Sequence, residues 1–220
     1  MLAEIKRRKL YSYYPDTGPL RRALYPKHMA FFRAGARHRE RLFLAGNRTG
    51  KSEGAGGYET VLHLTGRYPA WWEGRRFKRP VVAWAAGETT RDVRDSMQKK
   101  LIGPWYEQGT GLIPSDDLLR VTPRAGVSEA ADTIYTRHRS GGISALTLKT
   151  YEQGRESFQA AEVDSIWLDE ECPEDIYSEC LIRTMTTQGV LMLTFTPLRG
   201  LTPLVLQFLP GGMVPAQEAA

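Results

Sequence analysis

Gly46-Asn47-Arg48-Thr49-Gly50-Lys51-Ser52 carries the plainest chemistry in this 220-residue chain. Its glycines let a backbone turn tightly, so that successive N–H groups converge on one oxyanion. A lysine closing such a turn reaches the β- and γ-phosphates of a nucleotide, and the hydroxyl after it suits Mg²⁺. The run before it, RLFLA over 41–45, reads as a short strand. A helix starting near Lys51 would aim the positive end of its dipole at the phosphates. Strand, loop and helix together separate a phosphate loop from a chance Gly-Lys-Ser. The usual pattern is G-x-x-x-x-G-K-S/T; here Ala45 holds the first place and Gly46 follows. The next residues, SEGAGGYETVLHL, hold glycines that each cost a helix ~1 kcal/mol relative to alanine. Close packing on a sheet would account for them. Arg48 is either a solvated arginine or a guanidinium that adds positive charge where the transition state needs it.

A second group follows the stretch VDSIWLD, which ends at Asp169 and runs into Glu170 and Glu171. An apolar strand ending in Asp-Glu supplies the other half of a nucleotide-hydrolysing site. Asp169 would hold Mg²⁺ through water together with Ser52, and Glu170 would polarise the attacking water. The competing reading is a strand entering the acidic start of a helix, and Pro173-Glu174-Asp175 has that look. Glu174 and Asp175 are therefore given to the helix; Glu171 has no assigned role. The D-x-x-G and N-K-x-D patterns of a GTPase are absent, and a small-molecule kinase does not need the Asp-Glu pair. The separation between the two groups leaves room for one strand between theirs. VLMLTFT over 190–196 reads as a buried strand ending in hydroxyls. Thr194 or Thr196 would sense the γ-phosphate, or both simply suit a strand.

These residues need a scaffold. Residues 1–27 read as an irregular lead-in, and 28–40 as a helix with Met29, Phe31 and Phe32 as apolar contacts. Short apolar runs at 41–45, 80–86, 133–137, 143–148, 165–169 and 190–196 alternate with polar, helix-like segments. That alternation predicts an α/β P-loop NTPase: a mainly parallel sheet with helices on both faces. The runs at 133 and 143, joined by a Ser-Gly-Gly turn, predict added antiparallel strands. Ligands of such sheets bind beyond the carboxyl ends of the strands. The expected division is a lead-in over 1–40, a core over 41–209 and a tail over 210–220.

Taken together, LYPKHMAFFRAG, RERLFLAGNRTGKS, LKTYEQGRESFQ, DSIWLDEECPEDIYSE and LMLTFTPLRGLT resemble the large terminase subunits of tailed bacteriophages. They stand in that family's order and span residues 25 to 209. The resemblance implies an ATP-driven, ring-forming motor that moves double-stranded DNA into a procapsid. It implies a portal and a small terminase subunit as partners, and the cytoplasm of a bacterial host as location. It implies adenine recognition by Tyr25-Pro26-Lys27-His28, where family members often have glutamine in place of His28. It also implies that TFTPLRG couples hydrolysis to movement. Family members continue into a nuclease domain; this chain ends at Ala220, so the expectation is the ATPase half without a nuclease site. In a ring, Arg155 of Glu152-Gln153-Gly154-Arg155-Glu156 would be an arginine finger for a neighbour's nucleotide, with Gly154 letting the loop extend. Otherwise it pairs with Glu152 or Glu156. The alternative is a helicase-type or other nucleic-acid-dependent P-loop ATPase, since Asp-Glu-Glu-Cys resembles helicase acidic motifs. Such enzymes need a second similar domain. A nucleotide-binding scaffold without hydrolysis is a third reading, against which Glu170 argues.

Composition agrees with one soluble core. The chain is 41% hydrophobic and 25% charged, which excludes a disordered chain. Residues 1–110 carry 22 Lys and Arg against 10 Asp and Glu, and residues 111–220 carry 8 against 15. A basic front half suits a polyanion or is an ordinary solvated surface. Cys172 and Cys180 form no C-x-x-C pair, so buried reduced thiols are expected rather than zinc ligands. The basic start leads into no apolar run, so no signal peptide or membrane span is expected.

Overall fold

The computed structural model describes residues 9–159 and 161–209. The basic residues at 6–8 and the expected tail over 210–220 lie outside the described residues. Apolar runs form seven strands: β1 Glu40–Leu44, β2 Val82–Gly87, β3 Leu118–Pro123, β4 Ala131–Arg137, β5 Ile143–Thr150, β6 Ser165–Asp169 and β7 Val190–Phe195. They build one sheet in the order β1-β7-β6-β2-β5-β4-β3. The first five in that order are parallel, and β4 runs against both β5 and β3. The mainly parallel sheet, the antiparallel hairpin at 133–148 and the strand inserted between β1 and β6 are as expected from sequence. β6 and β7 are buried along their whole length, as parallel strands covered on both faces must be.

β3 was not expected. LLRVTP alternates poorly, is largely open to solvent and ends in Pro123 at the sheet's edge, where a missing N–H costs no ladder bond. The predicted helix over 28–40 is α1, Pro26–Ala34. It starts earlier because proline is favoured in a first turn. It ends before Gly35, where a Cβ would come within 2.8 Å of the Arg41 guanidinium.

Beyond β1 the chain turns through Gly50, whose φ of 82° lies in the left-handed region, into a π-helical segment, Lys51–Gly57. That segment continues as α2, Tyr58–Thr65. The wider π geometry is uncommon and tends to mark functional positions. Its glycines have the expected reason: a methyl group on Gly56 would overlap the Trp167 indole of β6. Beyond β2 come α3, Thr90–Asp92, a second π-helical segment, Val93–Gln98, and α4, Lys99–Ile102. α5, Glu174–Arg183, follows β6 with Pro173 as its N-cap and Glu174 and Asp175 in its first turn, as predicted. α6, Pro203–Leu206, follows β7.

Neighbouring residues of β6 point to opposite faces. Trp167 belongs to one core cluster with Phe32, Tyr58, Leu62 and Trp72, while Ile166 belongs to the other with Trp84, Phe158, Tyr177 and Phe195. Behind the phosphate loop, Arg41 of β1 donates twice to Glu59 of α2, at 3.0 and 2.7 Å, and His63 lies 3.1 Å from the same carboxylate. Burial would raise the Glu59 pKa, but the Arg41 charge and the hydrogen bonds from His63 and Arg41 hold it at about 2. Cys172 and Cys180 are buried free thiols, and burial raises both, Cys172 to about 12. Among the described residues no helix is long and apolar enough to cross a membrane.

Candidate active site

The register brings the carboxyl ends of β1, β7 and β6 to one level, with Thr194 opposite both Phe43 and Asp169. The loop after β1 is exposed and pinned by its own contacts. Thr49 Oγ1 donates to Gly46 O at 2.9 Å, and Gly54 N donates to Gly50 O at 2.6 Å. Arg48 holds a φ of 61°, a left-handed conformation that costs a side-chain-bearing residue free energy. Lys51 is buried at the start of the π-helical segment. A cavity of about 300 Å³ lies along the loop, lined by Arg48, Gly50, Lys51, Ser52 and also Lys100.

Asp169 Oδ1 accepts from Ser52 Oγ at 2.8 Å and from Thr194 Oγ1 at 2.7 Å. Thr194 in turn accepts from Trp167 Nε1 at 2.7 Å. Burial raises the Asp169 pKa, opposed by those two hydroxyl donors. Glu170 has a φ of 65°, and its N–H donates to Thr194 O at 3.0 Å. Burial, then the Asp169 charge, raises its pKa, which makes it a better proton acceptor than an ordinary carboxylate. The Tyr151 hydroxyl lies 3.0 Å from Asp169 O and 3.3 Å from Glu170 O, and so fixes the backbone of the pair. A second cavity, of about 310 Å³, is lined by Ser52, Glu88, Ser96, Lys100, Asp169 and Glu170.

Ser52 and Asp169 suit Mg²⁺. Both offer hard oxygens of the kind that ion takes, and they stand 2.8 Å apart, joined by a hydrogen bond. Among the described residues there is no cluster of three or more His, Cys, Asp or Glu that could hold a metal. A magnesium ion held by one carboxylate, one hydroxyl, phosphates and water needs none.

Other expected residues fall around this centre. Thr196 Oγ1 donates to Ala45 O at 3.0 Å and lies 3.1 Å from Asn47 Oδ1, so it braces the phosphate loop while Thr194 braces the acid. Tyr25 and His28 line a cavity of about 200 Å³ shared with Arg48 and Thr49. Both His28 ring nitrogens are engaged: Nδ1 lies 2.6 Å from the Tyr14 hydroxyl and Nε2 3.2 Å from Thr49 O. Burial lowers its pKa. The ion-pair partner of Arg155 is neither Glu152 nor Glu156. Arg155 Nε lies 2.9 Å from Glu179 of α5, which also binds Arg183, because the short helical turn after Gly154, Arg155–Phe158, packs against that helix. Glu171 accepts from Thr202 at the start of α6.

Lys100, Glu88 and Tyr151 were missed. Glu88 and Tyr151 follow β2 and β5 directly, and the rule that ligands sit beyond strand ends was a signal for both. Lys100, a helical lysine among other cations, has no signal in sequence.

The sequence model described as "Terminase large subunit, T4likevirus-type, N-terminal" matches residues 42–216. The chain is 37% identical over 207 residues to the "Terminase, large subunit" of Salmonella phage P22, covering 85% of this chain and 41% of that protein. It thus spans about two fifths of that relative's length. The fold is similar to the Thermus phage P74-26 large terminase ATPase domain, with a TM-score of 0.57 at 18% identity over 82% of this chain and 67% of that one. A mutant of the same domain gives 0.56 at 16% identity over 91% and 71%. Family and fold are those of the terminase resemblance rather than of the helicase-type alternative. By its match from β1 through β7 and beyond, the chain belongs to the terminase large subunit family, in its T4likevirus-type N-terminal region.

Proposed function

We propose that this chain binds ATP with Mg²⁺ at the ends of β1, β7 and β6 and hydrolyses it, as the motor domain that moves double-stranded DNA into a procapsid. One observation carries the reading: Ser52 and Thr194 converge on one oxygen of Asp169, with Lys51 next to Ser52 in the cavity along the loop and Glu170 next to Asp169 in the other. Gly46 to Gly50 present backbone N–H groups to the phosphates, and Lys51 neutralises them. Ser52 and Asp169 would hold Mg²⁺, which supplies charge neutralisation on the phosphate oxygens. Glu170 takes a proton from the attacking water. Tyr25 and the ring of His28 wall the adenine side, and the two hydrogen bonds of His28 also tie the lead-in to the phosphate loop. Thr194 and Thr196 link hydrolysis to the segment after β7. Arg48 acts within its own subunit, and Arg155 is the arginine offered to a neighbour in a homo-oligomeric ring. The wider setting is a bacterial host cytoplasm, with a portal and a small terminase subunit as partners.

The test is a pair of substitutions measured for nucleotide affinity and phosphate release. Lys51→Ala is expected to weaken ATP binding at least tenfold. Glu170→Gln is expected to keep binding within a few fold and to lower kcat by about 10²-fold or more, the scale of a lost general base. Turnover by Glu170→Gln at the parent rate would remove Glu170 from the role.

A further inference from the structure

Phosphoryl transfer spreads negative charge over three oxygens of the γ-phosphate, and a site needs cations on more than one side of them. Lys51 supplies one side. The segment beyond β2 supplies another part of the cavity's lining through Lys100. That segment carries four cations, Arg91, Arg94, Lys99 and Lys100, and the first three all lie within ion-pair reach of Asp95. Lys100 has no ion pair among the described residues. Its ammonium donates to Ser96 Oγ, one turn earlier, at 2.6 Å. Lys100 lines both cavities of the site: the one along Arg48 to Ser52, and the one that holds Asp169 and Glu170. Its charge acts on both acids, opposing the rise that burial imposes on each.

The backbone at Lys100 is firmly set. Leu101 and Ile102, which follow it, are completely buried. Leu112 N donates to Lys100 O at 2.8 Å, and Ile113 N to Leu101 O at 2.8 Å. Lys100 thus stands beside buried Asp169 and half-buried Glu170 without an ion pair to either among the described residues. Here the missing negative charge is the one a terminal phosphate would bring.

We propose that Lys100 is a catalytic residue that binds the γ-phosphate of ATP together with Lys51, within the same subunit. This rests on the ATPase reading above and adds a residue to it. In the step it serves, a water oxygen forms a bond to the γ-phosphorus as the bond from that phosphorus to the β–γ bridging oxygen breaks. The bonding electron pair leaves on the β-phosphate of ADP, and the water's proton passes to Glu170. Lys100 loses no proton; it neutralises charge on the transferred group.

Lys100→Met keeps the stem and removes the charge, and Lys100→Arg keeps a charge. Three quantities are read on the purified chain: kcat for ATP hydrolysis, affinity for Mg·ADP, and affinity for Mg·ADP with aluminium fluoride as a mimic of the transferred phosphoryl group. Lys100→Met is expected to lower kcat at least tenfold and to weaken the fluoride complex at least tenfold, with ADP affinity within twofold of the parent. Lys100→Arg is expected to recover part of both losses. Parental kcat in Lys100→Met, or an ADP loss as large as the fluoride loss, would overturn the assignment. A parent chain that binds no ATP would instead overturn the reading of the whole site.

Discussion

Asp169 gives one oxygen to two hydroxyls, and this sharing sorts the site's threonines. Sequence left Thr194 and Thr196 as equals. The strand register separates them, with one on the acid and the other on the phosphate loop. Lys51, Ser52, Asp169 and Glu170 were legible because each follows a strand end in a recognisable string. Lys100 and the Glu179 partner of Arg155 were not, because both depend on how helices far apart in sequence cross the sheet. Arg155 is half-exposed, while Glu179 is buried and keeps Arg183 if Arg155 leaves. That arrangement lets Arg155 turn outward at modest cost. If it serves a neighbour's nucleotide, activity per molecule should rise with protein concentration. Mixing Arg155→Ala with Glu170→Gln chains should then regain part of the lost activity, since some mixed interfaces hold an intact arginine and an intact glutamate. Phosphate release from the mixture measures this. A mixture as inactive as its parts, where the parent assembles, assigns the finger to Arg48.

At the scale of elements, β1 and α2 are joined behind the phosphate loop by a buried charge, not only by apolar packing. The pattern of strand, loop and helix was readable in RLFLAGNRTGKS, and the reason for the glycines in the helix was anticipated. The pairing of Arg41 with Glu59 was not, since neither residue carries a periodic signal and only the fold sets them side by side. Glu59→Gln should destabilise the chain by roughly 3–5 kcal/mol, because it strands the Arg41 charge in the core. Denaturant midpoints for parent and variant check this. The pair also sets a pH dependence. Glu59 falls from an ordinary 4.5 to about 2 on folding, so its stabilisation is complete above about 4.5. It is lost progressively as pH drops from there towards 2. Glu59→Gln should flatten that part of the stability curve. An unchanged acid limb would mean that other carboxylates govern it.

Over the whole molecule, basic residues dominate the first half of the sequence, but the structure commits several of them. Arg79 is paired with Asp164, Arg41 with Glu59, and Arg76 lies over the Tyr68 ring. Arg21, Lys27, Arg37 and Lys78 remain exposed and outside any ion pair among the described residues, so a small number of phosphate contacts is expected. DNA binding should therefore be weak and indifferent to sequence. Its affinity should fall on the order of 10–100-fold between about 50 and 200 mM salt, as a few condensed counterions are released. Binding isotherms across that range decide it; a flat salt response or a sharp sequence preference would contradict it. Six of the seven strands were readable as apolar runs, and β3 escaped because an edge strand need not look like a core strand. The inserted position of β7 has a mechanical side. It is hydrogen-bonded to the strand that carries the phosphate loop and to the strand that carries the acids, and it leads directly into Leu198, which is 79% exposed. Linkage is reciprocal. Whatever a bound nucleotide does to the lie of that outgoing segment, a pull on the segment does in return to the grip on the nucleotide. In the motor proposed above, that strand would make the tightness of nucleotide binding depend on load.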